Sequence, residues 1–263
     1  MGTLLSPPRL ISIVIPVLNE APSLEELAAE VRAEAAAHQL RVEVILVDDG
    51  SRDDSWNIIK RLAAADSRFR GIRLRCHFGK TGALAAGFRT AAGEVVFQMD
   101  ADLQDDPAEI SNLLAMLDRG FDVVTGWKRK RLDPWHRVWA SHVFNWMVSR
   151  MTGLRLHDHN CGLKCFRAEV VKHLPLYGEL HRFTTVFAKA SGFRVTEIEV
   201  HHRRRRSGRS KYGPGRYVRG FLDLITVTFL VSFGERRLVA RSAGRAPAYD
   251  TAEVTKPNET AKP

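Results

Sequence analysis

The sequence predicts an α/β fold: a mostly parallel sheet with helices on both faces. Three observations predict it. Short apolar runs alternate with helical patterns through residues 10–126. The helical stretches are long enough to be the crossovers that join parallel strands. The polar motifs fall at the carboxyl ends of the apolar runs, where open α/β sheets bind ligands.

Residues 10–17 read as the first strand and 23–38, rich in Ala and Glu, as the helix after it. A second strand at 42–47 precedes a helix at 55–65, and a short third strand at 71–75 precedes a helix at about 80–92. A strand at 94–99 runs into an acidic segment, a helix at 107–117 follows, and 122–125 makes a further strand. After Gly126 the pattern changes. Trp127-Lys128-Arg129-Lys130-Arg131 is a basic loop, and 134–151 is an amphipathic helix rich in aromatics. Residues 161–166 and 194–200 read as strands, and 203–215, basic and glycine-bearing, as a loop. The last apolar element is 216–233. From Arg245 the chain is polar and proline-containing, which predicts a disordered tail over 234–263. No internal repeat is apparent.

A chain of 263 residues can bury a full core, and 44% hydrophobic with 27% charged residues is ordinary for a soluble globular domain. A formal charge of +10 is not ordinary and points to an anionic partner: phosphorylated substrate, anionic membrane or nucleic acid. Three cysteines make no disulfide framework and fit a reducing compartment. No secretory leader is visible, no apolar run reaches the ~18 residues of a membrane span, and Met1-Gly2-Thr3-Leu4-Leu5-Ser6 only loosely fits a myristoylation pattern.

The most informative segment is Met99-Asp100-Ala101-Asp102-Leu103-Gln104, between a strand and Asp105-Asp106-Pro107. Two carboxylates and an amide at alternating positions form an oxygen donor set for a hard cation, Mg²⁺ or Mn²⁺, which is commonly held by one or two carboxylates plus substrate phosphates. The plain alternative is an acidic turn with Asp105 or Asp106 capping the next helix. Pro16-Val17-Leu18-Asn19-Glu20 and Val47-Asp48-Asp49-Gly50-Ser51 end the first two strands in tight turns, each of which alone is ordinary turn chemistry.

Together with His77-Phe78-Gly79-Lys80, these segments in their order resemble glycosyltransferase family 2 with the GT-A nucleotide-sugar fold. They are most similar to its polyprenyl-phosphate transferases, the dolichol-phosphate mannose synthase-like group, over residues 10–233. The family's usual Arg-Asn before Phe-Gly-Lys is Cys76-His77 here, and no role is carried over to that pair. The resemblance implies that Pro16, Leu18, Glu20, Asp48 and Asp49 line a nucleoside pocket. It implies that Asp100 contacts ribose or metal, and that Asp102 and Gln104 ligate the cation. The chemistry agrees, because a departing nucleoside diphosphate gains negative charge that a metal and cationic side chains stabilise. Lys80 is placed to be one such cation.

In the second half, Asp158-His159-Asn160-Cys161-Gly162-Leu163-Lys164 and Gly178-Glu179-Leu180-His181-Arg182-Phe183 resemble further elements of that group. The basic run ending Gly208-Arg209-Ser210-Lys211-Tyr212 resembles its loop over the pyrophosphate, which assigns Arg209, Ser210 and Lys211 to the donor. Members that glycosylate hydroxyls place a Glu-Asp base pair in this region, and none is found here. A hydroxyl acceptor needs a general base, whereas a phosphate monoester is already anionic. The expected acceptor is therefore a polyprenyl phosphate, with Arg129, Arg131 and Lys164 as candidates to hold it.

Leu222, Ile225, Phe229 and Phe233 form one helical stripe between Arg216 and Arg219 before it and Arg236 and Arg237 after it. Such a helix can lie on an anionic bilayer or dock on the sheet. Trp127, Trp135, Trp139 and Trp146 are core residues or a membrane-facing set. His157, His159, Cys161 and Cys165 carry zinc-ligand chemistry at a spacing unlike a finger. The sequence thus predicts inverting, metal-dependent hexose transfer from a UDP- or GDP-sugar to a polyprenyl phosphate at the cytoplasmic membrane face. The nucleotide-binding half is 10–126, the acceptor-binding half 127–215 and the interfacial helix 216–233. The family's chains commonly continue into membrane spans, so the expectation is a peripheral or shortened form. Alternatives are a soluble family 2 enzyme using Glu179 as base on a hydroxyl, and a non-catalytic basic protein; nucleic acid is not the expected partner.

Overall fold

The computed structural model describes residues 9–129, 135–203, 215–233 and 251–255. Strands β1 (Leu10–Val17), β2 (Arg41–Asp48), β3 (Phe69–Leu74) and β4 (Val95–Gln98) are joined by helices α1 (Ala21–Ala37), α2 (Ser55–Ala65) and α3 (Lys80–Thr90). All three strand pairings among them, β1–β2, β1–β4 and β2–β3, are parallel. The alternation of β1 explains why helices cover both faces. Ile11, Ile13, Ile15 and Val17 point to one core with Leu24, Leu27 and Val31 of α1, whereas Val14 points to a second core with Ala83, Leu84 and Phe88 of α3.

After β4 the chain makes a 3₁₀ turn at Pro107–Glu109 and helix α4 (Ile110–Asp118), then β5 (Val123–Trp127) and α5 (Trp135–Thr152). Asp106 caps the 3₁₀ turn, accepting from the Ala108 N–H at 3.0 Å, so the capping expectation holds for that residue. Strand β6 (Lys164–Arg167), short α6 (Ala168–Val171), a 3₁₀ turn at Leu180–Phe183, α7 (Thr184–Ala190), β7 (Val195–Glu199) and α8 (Gly215–Phe233) complete the second half. The eight strands make one sheet in the order β7-β5-β6-β4-β1-β2-β3-β8, β8 being Thr251–Val254. β6 is antiparallel to both β4 and β5, so it brings the second half of the chain into the middle of the sheet.

Two expectations are corrected. Part of the tail expected to be disordered, Thr251–Val254, pairs antiparallel with the edge strand β3, where Trp56 Nε1 donates to Glu253 at 3.0 Å. Edge strands present unpaired backbone groups, and this segment satisfies those of β3. The core reading of the tryptophans also fails for Trp139 and Trp146, which are 67% and 68% exposed on α5. The side chain of Trp135 lies outside the described residues.

The alternative in which the stripe of helix α8 docks on the sheet is corrected, because the helix docks by another face. Leu224 and Val227 are fully buried, whereas Leu222, Ile225 and Phe229 face outward. No helix among the described residues is long and apolar enough to cross a membrane.

Candidate active site

The carboxyl ends of β1, β2 and β4 and the turn before α3 enclose a cleft of about 240 Å³. Pro16, Leu18 and Glu20 line it from β1, Asp49 from β2, His77, Gly79 and Lys80 from the α3 turn, and Asp100 and Asp102 from β4. The first-half motifs, read one by one from the sequence, therefore converge. Glu179, from the second half, faces them across the cleft.

The paired aspartates after β2 do different work. Asp48 is fully buried, accepting from the Ser51 N–H at 3.2 Å with Arg73 Nε at 3.4 Å, and it stands behind the cleft wall. Asp49 faces the cleft and ties down the α3 turn: one oxygen accepts from the Phe78 N–H at 2.7 Å and the other lies 2.7 Å from His77 Nδ1. Burial pushes both carboxyls above their ordinary pKa. Gly50 is held at φ +78°, and a Cβ there would lie 3.0 Å from backbone atoms of Cys76 and His77, so the β2 turn and the α3 turn meet only through glycine.

Asp100 is paired with Lys80 at the mouth of α3. Partial burial opposes its charge, but Lys80, with Lys128 and Lys164 behind it, holds the carboxyl below its ordinary range. Asp102 accepts from the Gln104 N–H at 3.2 Å, a bond that closes the turn over Leu103. Leu103 itself sits at φ +63°, an uncommon conformation for a non-glycine residue and one that clusters at functional sites. The Gln104 amide nitrogen lies 3.2 Å from His202 Nε2. The oxygen-only chemistry of Asp100, Asp102 and Gln104 fits a hard divalent cation completed by substrate oxygens. No cage of three or more His, Cys, Asp or Glu side chains stands among the described residues, the acidic turn included, so the protein alone supplies only part of a coordination shell there.

The second half contributes in ways the sequence did not reveal. Lys164, expected to hold an acceptor phosphate, is 1% exposed, and its ammonium donates to the His159 carbonyl at 3.1 Å. It lies on an inner strand, opposite Gln98 and Thr125, where both faces are covered, so it backs the acidic turn instead of lining the cleft. Burial pushes its pKa down to about 8. Arg129 is exposed and pairs with Glu199 at 3.3 Å. Arg131, Arg209, Ser210 and Lys211 lie outside the described residues. Arg203, the last described residue before 204–214, donates to Glu30 at 2.7 Å and to Asp106 at 3.1 Å.

The four zinc-type side chains do not gather: His157 stacks on Trp127 at 4.1 Å, His159 Nε2 lies 3.0 Å from Ser149 Oγ, and Cys161 and Cys165 pack in the core. Glu179 is engaged by Arg182 at 3.0 Å. The residues sequence reasoning missed are Lys128, Asp105 and Gly162. Lys128 Nζ lies 2.8 Å from the buried carboxylate of Asp105, and Gly162 packs directly on Asp100 and Asp105. Within its basic loop nothing distinguishes Lys128 from its neighbours.

Comparison with known proteins gives a consistent result. The model of the family "Glycosyl transferase family 2" matches residues 12–174. An undecaprenyl-phosphate 4-deoxy-4-formamido-L-arabinose transferase of Pseudomonas syringae is 42% identical over 223 residues, covering 84% of this chain and 66% of the relative. A dodecaprenyl-phosphate galacturonate synthase of Rhizobium johnstonii is 37% identical over 231 residues, covering 86% and 68%. The chain thus spans about two thirds of the length of these curated relatives. Among solved structures, glucosyl-3-phosphoglycerate synthase from Mycobacterium tuberculosis, in complex with Mn²⁺, UDP and phosphoglyceric acid, superposes with a TM-score of 0.65 at 17% identity. The match covers 85% of this chain and 78% of that one, and it shows a shared fold.

Proposed function

The chain belongs to glycosyl transferase family 2, and we propose that it transfers a sugar from a nucleoside-diphosphate donor to a polyprenyl phosphate, with inversion. The observation that carries the proposal is the cleft itself, in which Asp100 and Asp102 face Lys80 at the carboxyl end of a parallel sheet. Both curated relatives are named for polyprenyl-phosphate chemistry, one with a pentose derivative and one with a hexuronic acid, so the hexose that the sequence predicts gives way to a sugar without a stated ring size.

In this reading Pro16, Leu18, Glu20 and Asp49 shape the nucleoside pocket, with Asp48 bracing it from behind. Asp102 and Gln104, with Asp100 beside them, would hold Mg²⁺ or Mn²⁺, and the bound Mn²⁺ and UDP of the mycobacterial neighbour support that assignment. Such an ion supplies charge neutralisation for the diphosphate. Lys80 moves from Asp100 toward the diphosphate as negative charge develops there, and Arg209 and Lys211 add cationic charge, with Ser210 as a hydrogen-bond donor. An acceptor phosphate oxygen attacks the anomeric carbon while the bond from that carbon to the diphosphate oxygen breaks on the opposite face. The nucleophile carries no proton to remove, so no general base is needed. Arg129 and Arg131 are the acceptor-side cations; Lys164, being buried, acts through Asp100.

The outward faces of α5 and α8 suit an anionic membrane surface at the cytoplasmic side. Trp139, Trp146, Phe221, Leu222, Ile225 and Phe229 are all exposed, and the two helices pack together. The deciding experiment incubates the chain with Mn²⁺, UDP- or GDP-sugars, and either a short polyprenyl phosphate or the matching alcohol. The expected product is the sugar-phosphate lipid alone. Glycosylation of only the alcohol would overturn the acceptor assignment and put Glu179, which lines the cleft, forward as a base.

A further inference from the structure

We propose that Lys128 and Asp105 act together as a buried positioning pair that sets the shape of the Asp100–Gln104 turn. The proposal rests on the donor-site reading above and names what holds that site in place. Asp105 is 1% exposed; its Oδ2 accepts a backbone hydrogen bond, whereas its buried Oδ1 makes no hydrogen bond of good geometry and is compensated by the Lys128 ammonium as an ion pair. Oδ1 lies 2.8 Å from Lys128 Nζ, and Oδ2 accepts from the Asp100 N–H at 3.1 Å. The second bond ties the start of the turn to a side chain five residues on, across the strained Leu103. The Asp105 backbone is itself bridged to His202, so the anchor cannot drift with the turn that it holds.

Gly162 shows how little freedom the arrangement has. A Cβ at Gly162 would lie 2.6 Å from Asp105 Oδ2 and 2.6 Å from Asp100 Oδ2, so both carboxylates rest against bare backbone. A carboxylate this buried is costly without a cation, and removing one partner of a buried pair leaves the other uncompensated. Lys128, just after β5, supplies that cation. Its side chain is only 13% exposed and does not line the cleft, so it touches the acidic turn and not the substrate. The pair thus uses the second half of the chain to fix the backbone that presents Asp100 and Asp102. Lys80 faces the substrate; Lys128 holds the turn from behind.

The test compares the wild type with Lys128→Met, Lys128→Arg and the neutral pair Lys128→Met/Asp105→Asn. Two readouts are taken: hydrogen–deuterium exchange of peptides spanning 99–106, and calorimetric affinity for UDP and GDP with and without Mn²⁺. Lys128→Met is expected to speed exchange across 99–106 and to weaken Mn²⁺-dependent nucleotide binding by about tenfold or more, in the range for supports of metal ligands. It should raise the donor KM while leaving the polyprenyl-phosphate KM unchanged. Lys128→Arg and the neutral pair should recover most of both losses, because each removes the uncompensated charge and Asn keeps an acceptor for the Asp100 N–H. Wild-type exchange over 99–106 in Lys128→Met overturns the proposal, and so does a neutral pair no better than the single variant. If the wild type itself binds neither nucleotide with Mn²⁺, the donor-site reading fails, and the exchange readout still decides whether the pair holds the turn.

Discussion

Residues 10–126 and 127–233 build the same sheet by different means. In the first half each strand is followed by a helix that returns the chain to the next parallel position, and every motif lands at a strand end facing one cleft. In the second half, β6 enters antiparallel between β4 and β5, and the short elements around it pack into the second core. The first half presents chemical groups; much of the second half holds them in place. Asp100 illustrates the difference: Lys80 in the first half meets its carboxylate at the surface, while Gly162 in the second half bears on it from behind.

The sharpest way to test this division is to remove a presented group. Asp102→Ala should lower transfer by about 10²–10³-fold, the range for losing one electrostatic stabiliser, with a folded, soluble protein. Chelator-insensitive, wild-type turnover in that variant would remove the acidic turn from the mechanism. A strike at the supporting half should also register at the presenting half. Gly162→Ala must displace the Asp100 or Asp105 carboxylate, so Mn²⁺-dependent nucleotide affinity is expected to fall by roughly tenfold, as for other supports of metal ligands. Unchanged affinity by calorimetry would mean that the two halves are less coupled than their contacts indicate.

The outward surface of the second half should be separable from both. Trp139→Ser with Phe229→Ser is expected to reduce co-sedimentation with anionic liposomes severalfold and leave nucleotide affinity untouched, since both side chains are exposed and neither lines the cleft. Equal sedimentation would assign membrane contact elsewhere.

The last effect concerns pH and stability alone and does not bear on the cleft. Burial, with Lys164 nearby, lowers the His159 pKa from 6.5 to about 4, so the folded protein takes up this proton later than the unfolded chain does. Its contribution is therefore complete above pH 6.5 and is lost as pH falls toward 4, by about 3 kcal/mol over that window. Urea unfolding at pH 7.5 and 4.5 should show a shallower acid loss in His159→Gln; parallel losses would remove His159 from the acid response.

Much of the first half was legible because its signals are local. The strand at Leu10–Val17 and the helix at Ser55–Ala65 have the limits the sequence predicts, each set by an apolar pattern and its flanking turn residues. That Asp49, Lys80, Asp100 and Asp102 line one cleft was legible in part for the same reason, since each sits at the end of a recognisable strand or at the start of a helix, and in part from the family resemblance of their motifs. Lys164 was identified as important but misplaced, because a lysine in a basic chain reads as a solvent-facing cation until its strand is seen to be an inner one. For helix α8 the sequence left two dispositions of the stripe open: Leu224 and Val227 are as apolar as the stripe beside them, and only the packing surface chooses which face docks.

The sequence by itself determined the parallel α/β half, the position of its strand ends and the chemical character of the cleft. These follow from periodicity and turn chemistry within a few residues of each other. Tertiary structure alone decided that β6 reverses into the middle of the sheet, that Thr251–Val254 closes its edge, and that Lys128 reaches Asp105 beside Gly162. Those contacts join residues far apart in the chain, and their energy comes from burial and charge compensation that exist only once the sheet is assembled.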